Sequence, residues 1–403
     1  MSRPFVRLLP LLLLLAACSA SPPHPDEVDT YNRPDVDFPL VPDELRLIET
    51  VAGWARAAGR EPPELDAGLI LTCRSLAWWL QSQGSGLIGE MSNADVQDEM
   101  VRFGVSDSAV RTQLVSTFLL SSMEKDVGES LHQDLASGLY THYGVSVVRG
   151  KFPPMYHIAL LFSRRPVELD PFPKQAETSH RLPLSGRLVG GLRDPKIYIG
   201  TPKGQVYELL FNLAPDGRFS NQIMFGDGPG VYRLEVSGVG SSGPEIVALM
   251  PVNVGDFAPE TRRDDWPVAD SPATARTLVF NQINRERQAL GLAALVRDAA
   301  LEKVAQGHAD EMKELGYAAH RSPTTGMVVD RVNAAGIKWQ RVTENVALNQ
   351  SALAGHASLM ESPAHRLNVT DPQVDRLGVG VAFSDDGHGH RLVYLVENYL
   401  ALR

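Results

Sequence analysis

The sequence predicts a multidomain chain: an N-terminal α+β domain, a small central β-sandwich and a C-terminal α+β domain. Three observations carry this reading. The chain has 403 residues, more than one hydrophobic core usually serves. Helical and strand-like apolar periodicities fall in separate blocks, with helices leading in the outer blocks and strands alone in the middle. Proline-rich stretches separate the blocks. Lys+Arg 38 against Asp+Glu 48 leaves the chain mildly acidic, which disfavours a nucleic-acid partner.

Residues 1–18 read as a lipoprotein signal peptide. Arg3 and Arg7 precede an apolar run, Leu8 to Ala17, broken only by Pro10 and too short to span a bilayer. Leu15-Ala16-Ala17-Cys18-Ser19 resembles a bacterial lipobox, which implies that Cys18 becomes the acylated first residue of the mature chain. Ordinary cleavage near Ala20 is the alternative. Acyl chains such as palmitate hold a protein to a membrane at about 0.8 kcal/mol per buried CH₂. Ser19 rather than Asp after the Cys points to the outer membrane. Residues 19–42 carry six prolines from Pro22 to Pro42 and read as a tether. Past the signal, Cys73 is the single cysteine; it reads as a buried structural thiol and excludes an intramolecular disulfide.

Residues 43–169 form the first domain. Helices are predicted over 44–58, 69–80, 110–123 and 131–140, and strands over 145–148 and 156–162. A linker at 170–185 holds Pro171, Pro173 and Pro183. Residues 185–256 alternate short strands with turn signals at Asp216-Gly217 and Asp227-Gly228-Pro229-Gly230, as in an Ig-like β-sandwich serving as spacer or weak binder. After a second joint at 257–273, residues 274–403 show helices over 275–288, 298–315, 331–335 and 352–360, then strands over 377–383 and 391–399. Asp298 caps the second of these helices and Gly316 ends it.

The outer domains share an order of parts. Asp66, Ala67, Leu69, Ala77 and Gly84 match Asp298, Ala299, Leu301, Ala309 and Gly316 at an offset of 232 residues. Tyr143-Gly144-Val145-Ser146-Val147 matches Leu377-Gly378-Val379-Gly380-Val381 at 234. A duplicated fold, polar in its second copy and degenerate in its first, explains this; two unrelated α+β domains with common patterns are the alternative. Ile88 stands opposite His320, Arg111 is placed opposite Glu344, and His132 lies within one residue of the slot facing His365.

His320, Glu344 and His365 form the candidate constellation, each at a junction of predicted elements. Converging, they would serve either as a His₂Glu metal site or as a general acid/base set. Ser362 reads as a helix-ending residue rather than a nucleophile, and Arg331 as a helix-to-loop ion pair. His388 and His390 beside Asp385 and Asp386 read as a solvated turn, with a second metal site as the alternative.

Residues 278–400 resemble the CAP superfamily, the cysteine-rich secretory, antigen 5 and pathogenesis-related 1 group, in its cysteine-free bacterial branch. The marks are Asn284-Arg285-Glu286-Arg287, Gly291-Leu292, His308-Ala309, His320, Arg331, Gly336, Glu344-Asn345, Ser362-Pro363-Ala364-His365-Arg366, Asn368, the Gly378–Gly380 strand and Tyr394. The resemblance implies an α-β-α sandwich whose cleft holds His320, Glu344 and His365, with His320 and His365 able to take zinc or another divalent cation. It implies orienting roles for Arg366 and Asn368. The family's additional Glu has no match, and Glu397 is the substitute considered; the Trp that usually precedes the Ser-Pro-x-His-Arg motif is also missing, with Leu359 near its place. The expected function is a membrane-anchored envelope protein of binding or scaffolding type, with a lipid, an envelope polymer or a protein as partner. A metal-assisted hydrolase with Glu344 as base, and a purely structural protein, are the alternatives.

Overall fold

In the computed structural model, residues 21–33, 38–83, 91, 93–108, 110–150, 154–257, 266–385 and 391–402 are described. Cys18 and its signal, Ile88, and the histidines at 388 and 390 lie outside them.

The first strand, β1 (Thr30–Tyr31), belongs to the segment expected to be a tether, yet it pairs with the central unit. Tyr31 is fully buried and donates its hydroxyl to the Pro251 carbonyl at 2.7 Å. His24 stacks on Trp78, whose indole donates to the Pro22 carbonyl. Residues 21–33 are therefore packed against the protein rather than free, because their aromatic and apolar side chains find partners on two units.

The N-terminal unit runs α1 (Pro42–Ala57), β2 (Glu64–Leu65), α2 (Ala67–Ser82), α3 (Asn93–Arg102), β3 (Val110–Thr117), α4 (Leu120–Ser137), β4 (His142–Arg149) and β5 (Tyr156–Ser163). Its sheet order is β2-β4-β5-β3. The helix expected over 110–123 is instead strand β3 followed by the start of α4. Its Val, Thr and Leu alternation suits a strand paired with β5, and tertiary pairing decides between the two periods.

The central unit begins earlier than expected, with β6 (Val167–Leu169), β7 (Phe172–Pro173) and β8 (Gln175–Ala176). The anticipated linker at 170–185 is thus built into sheets, with Phe172 and Leu184 buried. Then follow β9 (Arg181–Leu188), β10 (Arg193–Gly200), β11 (Val206–Leu210), β12 (Arg218–Met224), β13 (Gly230–Gly240) and β14 (Gly243–Val254). A sheet ordered β11-β10-β13-β14-β8 and another ordered β12-β9-β6 share one core, which includes Leu184, Ile197, Phe219, Ile223, Leu234 and Val236.

The C-terminal unit comprises α5 (Pro272–Ala289), β15 (Val296–Arg297), α6 (Ala299–Leu315), α7 (Val328–Ala334), β16 (Trp339–Asn349), α8 (Ala352–Glu361), α9 (Pro363–Thr370), β17 (Arg376–Asp385) and β18 (Arg391–Leu402). Its sheet order is β15-β17-β18-β16. One face packs on α6, through Ala305, Ala309 and Met312 against Ala382, Tyr394 and Val396. The other packs on α5 and α8, through Val279, Ile283 and Leu353 against Val379, Val381 and Leu395. These are the three layers of an α-β-α sandwich. Two glycines set the spacing on the α6 side. A Cβ on Gly378 would stand 2.5 Å from the Leu301 carbonyl carbon, and one on Gly380 would stand 2.2 Å from the Ala305 carbonyl oxygen.

The outer units share an order of elements, except that the single helix α4 stands where the C-terminal unit has α8 and α9. Each has a short parallel pair, β2 with β4 and β15 with β17, followed by antiparallel pairs in the same order. Asp66 and Asp298 cap α2 and α6 by accepting from Leu69 and Leu301. A Cβ on Gly144 would stand 2.3 Å from the Leu69 carbonyl carbon, the counterpart of the Gly378 contact. The strand register corrects one position. Tyr143, Phe162 and Arg111 lie in one row, matching Leu377, Tyr399 and Thr343. Thr112, not Arg111, therefore stands opposite Glu344. The same register sets Leu160 opposite Glu397 and Leu161 opposite Asn398.

Candidate functional site: an imidazole cleft in the C-terminal unit

Glu344 is the anchor. It lies on β16, which the sequence reading passed over as a strand, and its side chain is almost fully buried. Its Oε1 contacts His320 Nδ1 at 3.1 Å and its Oε2 accepts from Arg331 at 2.5 Å. Burial alone would raise this carboxyl. The His320 hydrogen bond and charge, then the Arg331 charge, outweigh burial and hold it below the ordinary value. Arg331, on α7, also donates to the carbonyls of His320 and Gly326, so one guanidinium ties the loop after α6 to the strand.

His320 sits on that loop. Gly316 adopts the left-handed conformation that ends α6, and His308 Nε2 contacts the Ala319 carbonyl at 2.9 Å. His365 comes from α9, with Ser362 as N-cap. Ser362 Oγ accepts from the His365 backbone N–H and lies 3.0 Å from His365 Nδ1. Burial, reinforced by the nearby His320, pushes His365 down to about 3, so this imidazole is neutral. The two rings have centroids 6.3 Å apart and are tilted by 31°. The expected pair of histidines and the glutamate are thus brought together.

The chemistry they support differs from a His₂Glu metal set. Both Glu344 oxygens are engaged, one by the His320 ring and one by Arg331, so the carboxylate orients His320 instead of standing free as ligand or base. Among the described residues, no three His, Cys, Asp or Glu side chains converge as a metal site. Zinc sites typically use three or four protein ligands. Two imidazoles alone do not match that donor set.

Glu397 is not the missing acid of this cleft. Glu344 pairs across the sheet with Asn398, whereas Glu397 pairs with Asn345, so alternation puts Glu397 on the opposite face. There it accepts from Asn345 at 3.1 Å and Tyr399 at 2.7 Å and lies 2.7 Å from His356 Nδ1. His356 Nε2 lies 2.9 Å from Glu286. Burial disfavours charge on His356, but the two carboxylates win and lift it to about 10. Asn345 links this buried network to the cleft by donating to the His365 carbonyl. Asn368 donates to the Glu344 carbonyl and to Asn345 Oδ1, which is an orienting role. Arg366 donates to the Met360 carbonyl.

Sequence reasoning missed His356 and Glu235. His356 lay in a stretch read as lacking a matching acid, and its partners are 41 and 70 residues away. Glu235 comes from β13 of the central unit. It is fully buried, and its Oε2 accepts from Ser362 Oγ at 2.6 Å and from the Ala364 N–H at 3.4 Å. Burial pushes it up to about 7 against those hydrogen bonds. The central unit also covers the cleft elsewhere. The Arg321 N–H donates to the Ser242 carbonyl, and a Cβ on Gly243 would lie 3.3 Å from His320 Cβ. Arg233 pairs with Glu361. A separate pocket of about 190 Å³, lined by Asn32, Asp66, Phe103 and Arg165, lies in the N-terminal unit, away from these histidines.

Residues 280–399 match the CAP, or cysteine-rich secretory protein, family. The chain is 31% identical over 132 residues to the uncharacterized protein YkwD of Bacillus subtilis, covering 32% of this chain and 51% of that one. It is 32% identical over 109 residues to the uncharacterized membrane protein YlbC of the same organism, covering 27% of this chain and 32% of that one. The chain thus spans about half or less of these relatives. Among solved structures, an extracellular protein containing an SCP domain from Bacillus anthracis aligns at 21% identity and a TM-score of 0.29, over 45% of this chain and 64% of that chain.

Proposed function

The C-terminal unit is a CAP domain of the cysteine-rich secretory protein family, and on that premise we propose that the chain is a cell-envelope protein of binding or scaffolding type. The cleft of His320, Glu344 and His365 takes the ligand. Acylated Cys18 anchors the chain at the outer membrane. The Ig-like central unit spaces and covers the cleft, and the N-terminal unit is a degenerate CAP-like copy whose sheet kept the scaffold and lost the polar groups. That last reading is supported by the matched strand order and the paired close approaches at Gly144 and Gly378. No described helix is long and apolar enough to cross a membrane.

The observation that favours binding over hydrolysis is the double engagement of Glu344 by His320 and Arg331. A general base has to reach its target proton, and this carboxylate is 1% exposed with each oxygen already held by a cationic or imidazole partner. Ser362 does not supply a nucleophile either. It is buried, caps α9 and gives its proton to Glu235, so the serine stands between acid and imidazole instead of the imidazole standing between acid and serine. The two imidazoles remain as hydrogen-bonding groups toward a ligand.

The test mixes the full chain carrying Cys18→Ala with phosphatidylethanolamine–phosphatidylglycerol vesicles and, separately, with purified peptidoglycan, beside the same chain carrying His320→Ala and His365→Ala. The expected result is sedimentation with one of the two that weakens at least tenfold in the variant while its circular dichroism is unchanged. Equal sedimentation of both proteins, or of neither, would overturn the cleft as the binding site.

A further inference from the structure

We propose that Glu235 is a positioning residue of the cleft: a carboxylate lent by the central β unit that, through Ser362, fixes the tautomer of His365. This deepens the binding reading and rests on it for its purpose, although the relay can be tested without any ligand.

The argument is a count of protons. An ionised carboxylate accepts only, and a serine hydroxyl has one proton to give. Ser362 Oγ lies 2.6 Å from Glu235 Oε2 and 3.0 Å from His365 Nδ1. Its proton goes to the charged acceptor, since charge-assisted hydrogen bonds are about twice as strong as neutral ones. Ser362 then meets His365 Nδ1 as an acceptor, and Nδ1 carries the ring proton. His365 Nε2 keeps its lone pair. His320 presents the same nitrogen, Nδ1, to a carboxylate directly, that of Glu344. Both rings, with centroids 6.3 Å apart, therefore spend Nδ1 on the protein, and His365 keeps Nε2 as an acceptor for a ligand.

Two further features favour a working role for Glu235 over simple cement between domains. The residue is fully buried, and its Oε1 has no hydrogen-bond partner among the described residues. A half-satisfied buried carboxylate costs stability, and an apolar residue at this interface would avoid that cost. Its oxygen is also placed at the N-terminus of α9, with one residue, Ser362, between it and the imidazole. Among the described residues, the CAP domain supplies no carboxylate of its own to this ring; Glu397 and Glu286 are both committed to His356. The cleft is thus complete only with the β unit docked.

The experiment is long-range ¹H–¹⁵N correlation on the ¹⁵N-histidine-labelled full chain in detergent, well above the Glu235 value of about 7. The expected result is His365 and His320 both protonated at Nδ1. In Glu235→Leu, Ser362 is released to donate to His365 Nδ1, and the His365 tautomer ratio swings about two- to tenfold toward Nε2–H, the worth of one net hydrogen bond. His320 stays unchanged as the internal control. Glu235→Gln, which keeps an acceptor oxygen, retains the wild-type ratio. If Glu235→Leu does not fold, Ser362→Ala removes the relay from the other side and is expected to leave His365 in both tautomers. An unaltered His365 ratio in whichever of the two variants folds overturns the relay. Wild-type Nδ1 protonation together with absent vesicle and peptidoglycan binding leaves the relay standing and removes the binding reading instead.

Discussion

Arg331→Met should loosen the floor of the cleft more than any other single change to its polar groups. The substitution removes the guanidinium from a side chain that is only 5% exposed, facing a Glu344 side chain that is 1% exposed. It deletes hydrogen bonds to Glu344, to the His320 carbonyl and to the Gly326 carbonyl. Breaking a buried pair from one side costs about 3–5 kcal/mol, because the remaining charge is left without compensation. His320 stays beside Glu344 and offsets part of that, so the lower end, about 3 kcal/mol, is expected. A global melt of a multi-unit chain does not report one unit cleanly. Hydrogen exchange read by mass spectrometry resolves β16 and α7 from the rest. The expected loss corresponds to about 100-fold faster exchange there, with the N-terminal unit unaffected. Arg331→Met combined with Glu344→Gln, which removes the stranded charge, should recover most of the protection. A change below about threefold in Arg331→Met would refute the view that Glu344 is held by this ion pair.

Other consequences follow from the same contacts. His356 is raised to about 10 by Glu397 and Glu286. Its contribution is full below the ordinary histidine value of 6.5 and is lost as pH rises through about 10. Chemical denaturation followed by exchange in α8 should therefore weaken across that alkaline window, and His356→Gln should flatten the dependence. Gly378→Ala forces a Cβ against the Leu301 backbone and Gly144→Ala against the Leu69 backbone. Each should cost about 1–3 kcal/mol by overpacking, in its own unit only, as read by unit-resolved exchange. Cys18→Ala should move the chain from the membrane pellet to the soluble fraction, and an unmoved chain would contradict lipid anchoring.

The parts legible in the sequence were those written in local patterns. Helices α5 and α6 follow from their apolar spacing, and the Asp298 cap and the Gly316 terminus stand where their chemistry requires. The repeated Gly-Val strand was visible as a motif, and its cause is the close helix approach at Gly144 and Gly378. His320, Glu344 and His365 could be singled out because each has distinctive neighbours. The rest depends on pairings between distant segments. β3 has a strand's pairing partner but an ambiguous period, so it read as a helix. Glu397 could be placed on the wrong face because the register of β16 with β18 is not written in either strand alone. Glu235 sits 127 residues from Ser362, in an alternating strand where a charged residue ordinarily faces water, and only the docking of two units buries it.

Zinc titration of the full chain by calorimetry, beside a His320→Ala/His365→Ala variant, tests the central claim most directly. With Glu344 committed to Arg331 and His320, the cleft offers two imidazoles and no third ligand among the described residues, so no saturable zinc binding at micromolar concentration is expected from either protein. One equivalent of zinc bound tightly by the wild type, and lost in a variant that keeps its fold, would contradict the account and return the cleft to metal-assisted hydrolysis.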